Sequence, residues 1–405
     1  MTDVGSAESQ TTREDRYAEL AVRVGANVQP GQLVDVVARV DHATVARAVA
    51  REAYKAGAAY VDVYYSDQHI RRALIEGAAD ELLSWTPPWL LERAVQVGEE
   101  RAAVIALTGD AEPNLLADLP GDRVGKARML ELAEESNRQV NEQLNNWTVI
   151  GVPNAGWAQQ MFGEPDLERL WKAVEFTVRL DEDDPVAAWR AHVARLGSRA
   201  KTLNELQVDT IHFRGSGTDL RVGLLPESRW QGCESLTAGG IPYVANMPTE
   251  EVFTTPDLRR TEGFVRSTRP LVLHGRIVKG LEVRFEGGRI VEVKAEEGAD
   301  VIQGQLETDD TAAYLGEIAL VDGTSRIGQT GLTFFDTLFD ENTTCHVAYG
   351  GAYAETVEGG LIEGVNVSNV HTDFMVGGPE VEVDAVTRSG AVVPLLRDDV
   401  WQLES

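Results

Sequence analysis

The sequence is poor in cysteine, and its two cysteines lie far apart. Cys233 and Cys345 form no CxxC pair, which excludes the disulfide scaffold of small secreted domains and suits a reducing compartment. Long apolar runs are also missing, since none approaches the ~20 residues that a membrane-spanning helix needs. The N-terminal stretch MTDVGSAESQTTRED lacks the basic and then apolar layout of a signal peptide. We therefore expect a cytoplasmic protein that does not enter the membrane.

Basic residues are scarce relative to acidic ones. The chain has 37 Lys and Arg against 65 Asp and Glu, a formal net charge of -28 and a pI near 4.6. Because phosphate groups are bound by basic patches, this balance argues against nucleic acid and against an anionic membrane surface as partners. Most of the carboxylates are expected to be solvated surface charge, and a few are candidates for holding cations.

The first half of the chain alternates strand-like and helix-like segments. Residues 32 to 40 are typical of a buried strand, residues 42 to 57 of a helix and residues 59 to 67 of the next strand, which together make one βαβ unit. The pattern recurs downstream with strands at 102 to 110 and 148 to 154 and a long polar helix at about 125 to 145. This alternation predicts an α/β fold with a mostly parallel sheet covered on both faces.

From residue 208 onward the chain changes character and becomes β-rich, with alternating apolar and polar residues between turn signals and a short helix expected at about 305 to 315. At 405 residues the chain exceeds the ~250 to 300 at which single cores stop growing. We therefore predict an α/β domain over residues 1–205 and a β-rich α+β domain over residues 206–405. No P-loop or GxGxxG is present to indicate nucleotide binding.

Residues with the chemistry of metal ligands are concentrated in the second half. His371 and Asp373 are two apart, so an extended segment points both to one face. Glu317 interrupts an otherwise apolar strand. If it points inward, its carboxylate must be paired, protonated or bound to a metal, and the alternative is an outward glutamate on an edge strand. Glu250 and Glu251 are adjacent, and only one of them can face a given site.

A further cluster lies in the run DENTTCHVAYGG, residues 340 to 351. Asp340, Glu341, His346 and the nearby Tyr353 could converge on the cleft that receives Glu317, because the paired glycines allow close approach of the backbone. Carboxylates together with imidazoles suit one or two ions of Zn²⁺, Co²⁺ or Mn²⁺, and suit Ca²⁺ poorly. Cys345, next to His346, would face the other way and is expected in the core.

Four motifs in this half resemble one known family. The segments MPTEEVFTTP, LGEIALV, DTLFDENTTCHVAYG and HTDFMVG, in this order, are similar to those of the aminopeptidase T and aminopeptidase S family of dinuclear metallo-aminopeptidases. The resemblance extends over nearly the whole chain. It implies an N-terminal α/β domain, a metal-bearing C-terminal domain, a homodimer, and peptide substrates from which N-terminal amino acids are released.

Carried over residue by residue, the resemblance implies a set of metal ligands, which are Glu251, Glu317, Glu341, His346, His371 and Asp373. It implies two divalent ions, Zn²⁺ or Co²⁺ first, with Mg²⁺ or Mn²⁺ as further candidates, and Glu317 as their bridge. Tyr353 is implied as a site residue, and its hydroxyl could donate to the oxyanion of the transition state. Glu250 is a candidate for moving a proton from water to the leaving amine.

Two other functions remain open at this point. A different dinuclear metallohydrolase, such as an amidohydrolase or a phosphoesterase, could use the same mixed oxygen and nitrogen ligands, and a noncatalytic binding protein could hold the carboxylates for structure alone. The remaining histidines are expected to be structural or solvated, although a ligand role for His212 is possible; they are His42, His69, His192, His212 and His274.

Overall fold

The computed structural model describes residues 12–273 and 276–403. His274, expected from the sequence to be structural or solvated, lies outside these residues. The helices within the described ranges are α1 Arg13–Leu20, α2 Ala43–Lys55, α3 Gln68–Gly77, α4 Pro88–Glu99, α5 Gly121–Lys126, α6 Leu130–Asn141, α7 Ala155–Phe162, α8 Leu167–Thr177, α9 Pro185–Glu205, α10 Ala299–Leu306, α11 Arg326–Thr330 and α12 Thr337–Asp340. None of them combines the length and apolar character needed to cross a membrane.

The first half folds around a parallel sheet. Its strands are β1 Leu33–Arg39, β2 Tyr60–Ser66, β3 Ala103–Thr108, β4 Trp147–Gly151 and, from the second half of the chain, β9 Asn246–Met247. They lie in the order β2-β1-β3-β4-β9, and every pairing is parallel. The predicted α/β fold with a mostly parallel sheet is confirmed.

The second half is built mainly from antiparallel strands. They are β5 Val208–Gly215, β6 Thr218–Leu224, β7 Glu234–Leu236, β8 Pro242–Val244, β10 Val252–Thr254, β11 Pro256–Arg266, β12 Leu271–Leu273, β13 Arg276–Val278, β14 Glu282–Glu286, β15 Arg289–Lys294, β16 Leu315–Leu320, β17 His346–Gly350, β18 His371–Met375, β19 Val381–Thr387, β20 Val392–Arg397 and β21 Val400–Trp401. An eight-stranded sheet has the order β15-β14-β11-β6-β5-β19-β20-β21, and a four-stranded sheet has the order β10-β16-β17-β18. The predicted β-rich second half is confirmed.

Two apolar cores lie beneath these sheets, and helix α9 belongs to both. Its Trp189 is buried in the core around the parallel sheet, while its Leu196 and Leu203 are buried in the core of the second half. Later segments also return to the first core, where Met247 and Phe339 are buried. The division of the chain at residues 205 and 206 stays a prediction.

Two predicted helices differ from the structure. The segment at 125 to 145 contains two helices, α5 and α6, with a break over residues 127–129, where the backbone of Ala127 leaves the helical region at ψ 61. The helix expected at 305 to 315 instead ends at Leu306. Asp309 explains that end, because its Oδ1 accepts a hydrogen bond from the Thr311 backbone at 3.0 Å and forms a turn.

Candidate metal centre

The four-stranded sheet brings the predicted ligands onto one face. Glu317 on β16 and Asp373 on β18 each pair in register with Ala348 of the intervening strand β17. Residues two apart on a strand share a face, so His346 and His371 flank this row. The small side chain of Ala348 leaves room between the two carboxylates. The alternation in the sequence thus becomes a cluster of acids and imidazoles above one strand.

The distances within this cluster define two groups that share a residue. Glu251, Glu317 and His346 form one group, and Glu317, His371 and Asp373 form the other, each with ligand atoms within 4.8 Å of one another. His346 Nε2 lies 3.1 Å from Glu251 Oε2 and 3.8 Å from Glu317 Oε1. His371 Nε2 lies 3.3 Å from Glu317 Oε2 and 3.4 Å from Asp373 Oδ1. The two oxygens of Glu317 therefore face different histidines.

Glu341 approaches the same cavity from a separate element, the 3-10 turn Glu341–Thr343 that follows α12. It is buried, and its Oε1 accepts hydrogen bonds from Asn246 Nδ2 at 3.5 Å and from Asn342 Nδ2 at 3.3 Å. Burial raises the pKa of Glu341 well above its usual value, and the charges of Asp373 and Glu251 raise it further. Glu341 lies beside the two groups without belonging to either.

The remaining electrostatics are those of charges crowded away from water. Burial raises the pKa of Glu317 above its usual value, and the neighbouring His371 opposes that rise. Burial would also raise the pKa of Asp373, but the charges of His371 and His346 keep this pKa below its usual value. Burial alone would lower the pKa of His346, but the Glu251 carboxylate 3.1 Å away and the charges of Asp373 and Glu317 raise it to about 10. Such a concentration of acid is costly unless cations offset it.

The donor set fits a divalent metal. Within the described residues, Glu251 Oε2 is buried and its 3.1 Å contact with His346 Nε2 is not a well-directed hydrogen bond, while His346 Nδ1 is buried without a hydrogen bond. His371 Nδ1 lies 2.7 Å from the carbonyl oxygen of Gly351, so the ring presents Nε2 to Glu317 and Asp373. A carbonyl that fixes the second ring nitrogen is the usual support of a metal-binding histidine. These observations match nitrogen and oxygen coordination of an ion such as Zn²⁺.

Tyr353 lies at the same cavity, which has a volume of about 90 Å³. Its ring centroid is 5.1 Å from that of His371, and Phe253 packs edge-on against it at 6.0 Å. The charge of His371 lowers the pKa of Tyr353, but burial and the neighbouring carboxylates outweigh it and raise the pKa above its usual value. The hydroxyl is therefore a neutral donor near the clustered charges.

Glu250 is directed away from this cavity. Its carboxylate is buried and accepts a hydrogen bond from Arg179 Nη2 at 2.7 Å, with Arg195 Nη2 at 3.4 Å and His192 Nε2 at 3.6 Å. Its backbone N–H donates to Asn342 Oδ1 at 2.8 Å. Of the two adjacent glutamates, Glu251 is the one that faces the cavity.

Three other residues discussed from the sequence, Cys345, Asp340 and His212, lie away from the metal cavity. Cys345 is buried in the core of the second half, as expected, with its Sγ 3.4 Å from the carbonyl oxygen of Val321. Asp340 is buried and accepts from the backbone of Phe334 at 2.7 Å, outside the residues that line the metal cavity. His212 pairs with Asp219 at 2.7 Å on the eight-stranded sheet, also away from that cavity.

Sequence reasoning missed residues that support the centre. Asn342 contacts both Glu341 and the backbone of Glu250. Glu355 lines the cavity and accepts from Ser235 Oγ at 3.0 Å. Asn342 follows Glu341 in the run of residues 340 to 351, and this closeness in sequence gave only a weak indication of its role. Nothing local marks Ser235, which is 120 residues from its partner.

Comparison with known proteins places this geometry in a family. The family model described as "Thermophilic metalloprotease (M29)", Peptidase_M29, matches residues 10–401. The chain belongs to the M29 metalloprotease family. It is 42% identical over 403 residues to aminopeptidase T of Thermus aquaticus, with 96% of this chain and 98% of the relative covered. It is 36% identical over 408 residues to aminopeptidase AmpS of Bacillus subtilis (strain 168), with 97% and 99% covered.

A solved structure supports the same conclusion for the fold. The wild-type AmpT structure from Thermus thermophilus matches with a TM-score of 0.88 and 40% identity, covering 96% of this chain and 99% of that one. The resemblance inferred from four motifs is thus confirmed, and so is the predicted enzyme class, a metallo-aminopeptidase. Membership in this enzyme family leaves no support for a noncatalytic binding protein.

Proposed function

We propose that this M29 enzyme removes N-terminal amino acids from peptides with a pair of divalent cations. The observation that carries the proposal is the shared position of Glu317, whose two carboxylate oxygens face the two separate ligand groups. A carboxylate in this position can bridge two ions. The proposed ligands are those expected from the sequence, namely Glu251, Glu317, Glu341, His346, His371 and Asp373.

The charge balance of the cavity supports two ions rather than one. Four of the six ligands are carboxylates, and two divalent cations would neutralise them. When bound, such a pair supplies Lewis acidity toward the scissile carbonyl and a water nucleophile of lowered pKa. The residues of the chain would hold the pair, with His371 oriented by Gly351 and Glu341 oriented by Asn246 and Asn342.

We assign Tyr353 to transition-state stabilisation. Its ring is held between Phe253 and His371, and its raised pKa keeps the proton on the hydroxyl at neutral pH. A fixed neutral donor beside the reacting carbonyl can bind the developing oxyanion. The proton-shuttle role proposed for Glu250 requires its carboxylate in the cavity, whereas Arg179 binds it elsewhere. We therefore propose that Glu250 positions Glu251 instead.

The finer properties follow from the donor set and the family. Mixed nitrogen and oxygen ligands favour Zn²⁺ or Co²⁺, with Mg²⁺ or Mn²⁺ as weaker candidates. We propose a cytoplasmic homodimer acting on peptide substrates. Light scattering of the purified chain measures the mass of the assembly, and elemental analysis measures the number and kind of ions per chain.

The decisive experiment compares substrates on one preparation. The metal-loaded chain is assayed on leucyl p-nitroanilide and on a phosphate ester, each with added Co²⁺ or Zn²⁺. Hydrolysis of the anilide alone, lost with a chelator and restored by metal, is the expected result. Hydrolysis of the phosphate ester alone would instead favour the phosphoesterase alternative. One tightly bound ion per fully active chain would contradict the dinuclear centre.

A further inference from the structure

A second, larger cavity adjoins the metal centre. Its volume is about 490 Å³, and it shares Asn246 and Glu341 with the metal cavity. It is lined by Arg39 at the end of β1 and by Thr108 at the end of β3. In the order β2-β1-β3, strand β1 has β2 on one side and β3 on the other, so the chain crosses from one side of β1 to the other. Folds of the α/β class bind ligands at the carboxyl ends of the strands at such a point.

One side of strand β4 connects the two cavities. Trp147 lines the metal cavity, and Val149 lines the larger one. Residues two apart on a strand face the same side and are about 6 to 7 Å apart. An extended peptide spans about 3.3 to 3.6 Å per residue, so a chain of a few residues can reach from one cavity into the other.

Arg39 is held in the larger cavity by two neighbours. Its Nη1 lies 3.1 Å from Asp110 Oδ1, although this nitrogen is buried without a well-directed hydrogen bond. With the Gln68 amide turned so that its oxygen faces the guanidinium, that oxygen accepts from Nη2 at 3.0 Å and from Nε at 3.1 Å. Gln68 begins helix α3, which therefore fixes Arg39 at the cavity wall.

Arg71, three residues after Gln68 on the same helix, also lines this cavity. Its side chain is half-buried and makes no hydrogen bond or ion pair with any residue in the ranges 12–273 and 276–403. Burial lowers the pKa of Arg71, the charges of Arg39 and Arg128 lower it further, and the charge of Asp110 opposes this shift without reversing it. An unpaired cation beside another cation is costly, and an anionic ligand would remove that cost.

The carboxylates of this cavity are largely engaged elsewhere. Asp110 pairs with Arg39, and Glu112 lies 2.6 Å from His69 Nε2. Burial raises the pKa of Asp336 to about 6, and the charge of Arg39 opposes that rise. Glu341 belongs to the metal centre. The positive charge of Arg71 therefore remains available to a ligand.

We propose that Arg71, supported by Arg39, binds the C-terminal carboxylate of a short peptide whose N-terminal residue occupies the metal cavity. The proposal rests on the aminopeptidase function proposed above. A guanidinium binds a carboxylate through paired hydrogen bonds, which suits this end of a peptide. In a chain of net charge -28 a peptide carboxylate is repelled at long range, and the two arginines offset that repulsion locally. The enzyme is thereby selective for short peptides with a free C-terminus.

The test compares free acids with amides in the metal-loaded full-length enzyme. Leu-Ala, Leu-Ala-Ala and Leu-Ala-Ala-Ala are assayed as free acids and as C-terminal amides, with leucyl p-nitroanilide as the substrate that lacks a carboxylate. For one of the three peptide lengths, we expect kcat/KM of the free acid to be about ten- to hundredfold higher than that of the amide. This is the factor that a charge-assisted hydrogen bond contributes. Arg71→Gln should abolish this ratio, chiefly through KM, and leave anilide hydrolysis unchanged.

Two further variants make the result specific. Arg71→Lys keeps the charge without the paired geometry and should retain part of the preference. Arg190→Gln, which removes an exposed arginine of helix α9, should retain all of it. The proposal is overturned if the wild-type enzyme has the same kcat/KM for the free acids and the amides, or if Arg71→Gln lowers kcat/KM for acids and amides by the same factor. Absence of anilide hydrolysis by the wild-type enzyme would instead contradict the aminopeptidase function itself.

Discussion

Glu250 and Glu251 are neighbours in the chain, yet their carboxylates serve different surroundings. Glu251 Oε2 lies 3.1 Å from His346 Nε2 in the metal centre, whereas Glu250 Oε1 accepts from Arg179 Nη2 at 2.7 Å. The two adjacent side chains point to different neighbours, so anchoring one carboxylate also fixes the direction of the other. The buried ion pair with Arg179 thereby sets the direction of a proposed ligand.

This arrangement predicts the effect of Glu250→Gln. Removing one partner leaves Arg179 buried and uncompensated, so the free energy of unfolding should fall by about 3 to 5 kcal/mol. Metal affinity should fall with it, while the pH profile of kcat stays unchanged in the folded, metal-saturated variant. Urea unfolding and steady-state kinetics measure these quantities, with the exposed Glu164→Gln as control. If the variant instead loses the acidic or the basic limb of its kcat–pH profile, Glu250 would be assigned to proton transfer.

Glu317→Gln tests the shared ligand. The amide keeps the shape of the side chain but not the charge that both ligand groups use, so anilide hydrolysis should fall by more than the roughly hundredfold typical of outer-sphere partners. Elemental analysis should find fewer ions per chain. The exposed Glu307→Gln is the matched control. Wild-type turnover with full metal content would refute the assignment of Glu317.

Tyr353→Phe tests the proposed hydrogen-bond donor. The ring and its packing on Phe253 remain, so only the hydroxyl is lost. We expect kcat to fall by about 10² to 10³, with KM little changed, because the interaction is made in the transition state. Tyr65→Phe, at an exposed tyrosine, should have no effect. A rise in KM at constant kcat would assign the hydroxyl to substrate binding.

Removal of metal should destabilise the folded chain. Without cations, Glu251, Glu317, Glu341 and Asp373 share one buried cavity, and the charges of His346 and His371 offset their mutual repulsion only in part. An ion at 100 times its dissociation constant adds about 2.7 kcal/mol to stability. Calorimetry should show a lower Tm in chelator, restored by Zn²⁺ or Co²⁺. An identical Tm in both conditions would argue against ions at this centre.

His42 predicts a pH dependence of stability that is separate from the metal centre. It is fully buried, its Nε2 lies 2.8 Å from the carbonyl oxygen of Gly109, and burial lowers its pKa below 6.5. The unfolded chain therefore binds more protons below about pH 6.5, and the stabilisation is present above that pH and lost as the pH falls. His42→Gln should accordingly cost more stability at pH 8 than at pH 5.5.

The exposed His69 provides the opposite case for the same experiment. The hydrogen bond and charge of Glu112 raise its pKa, so any contribution of this pair is present at low pH and lost as the pH rises through the raised pKa. Urea unfolding of wild-type, His42→Gln and His69→Gln proteins across this range measures both trends. Equal losses for His42→Gln at the two pH values would contradict the assignment of a neutral buried imidazole.

Much of the fold was predictable because its signals are local. The βαβ alternation of residues 32 to 67 follows from apolar periodicity within each segment, and the structure confirms it as β1, α2 and β2. Helix ends were harder to predict from the sequence, because the Asp309 side chain forms a turn that competes with continuation of helix α10. The late strand β9 joins the parallel sheet from far along the chain, which no local pattern indicates.

Local sequence patterns reveal which chemistry is present, namely carboxylates and imidazoles in motifs that resemble those of the M29 family. How these groups combine depends on the fold, because strand register aligns Glu317, Ala348 and Asp373. Arg179 also binds one of two adjacent glutamates from 71 residues away and so leaves the other to face the cavity. The fold also places Arg71 at a cavity that adjoins the proposed metal centre. Periodicity is a property of neighbouring residues, whereas register, charge pairing and cavity shape depend on segments that meet only on folding.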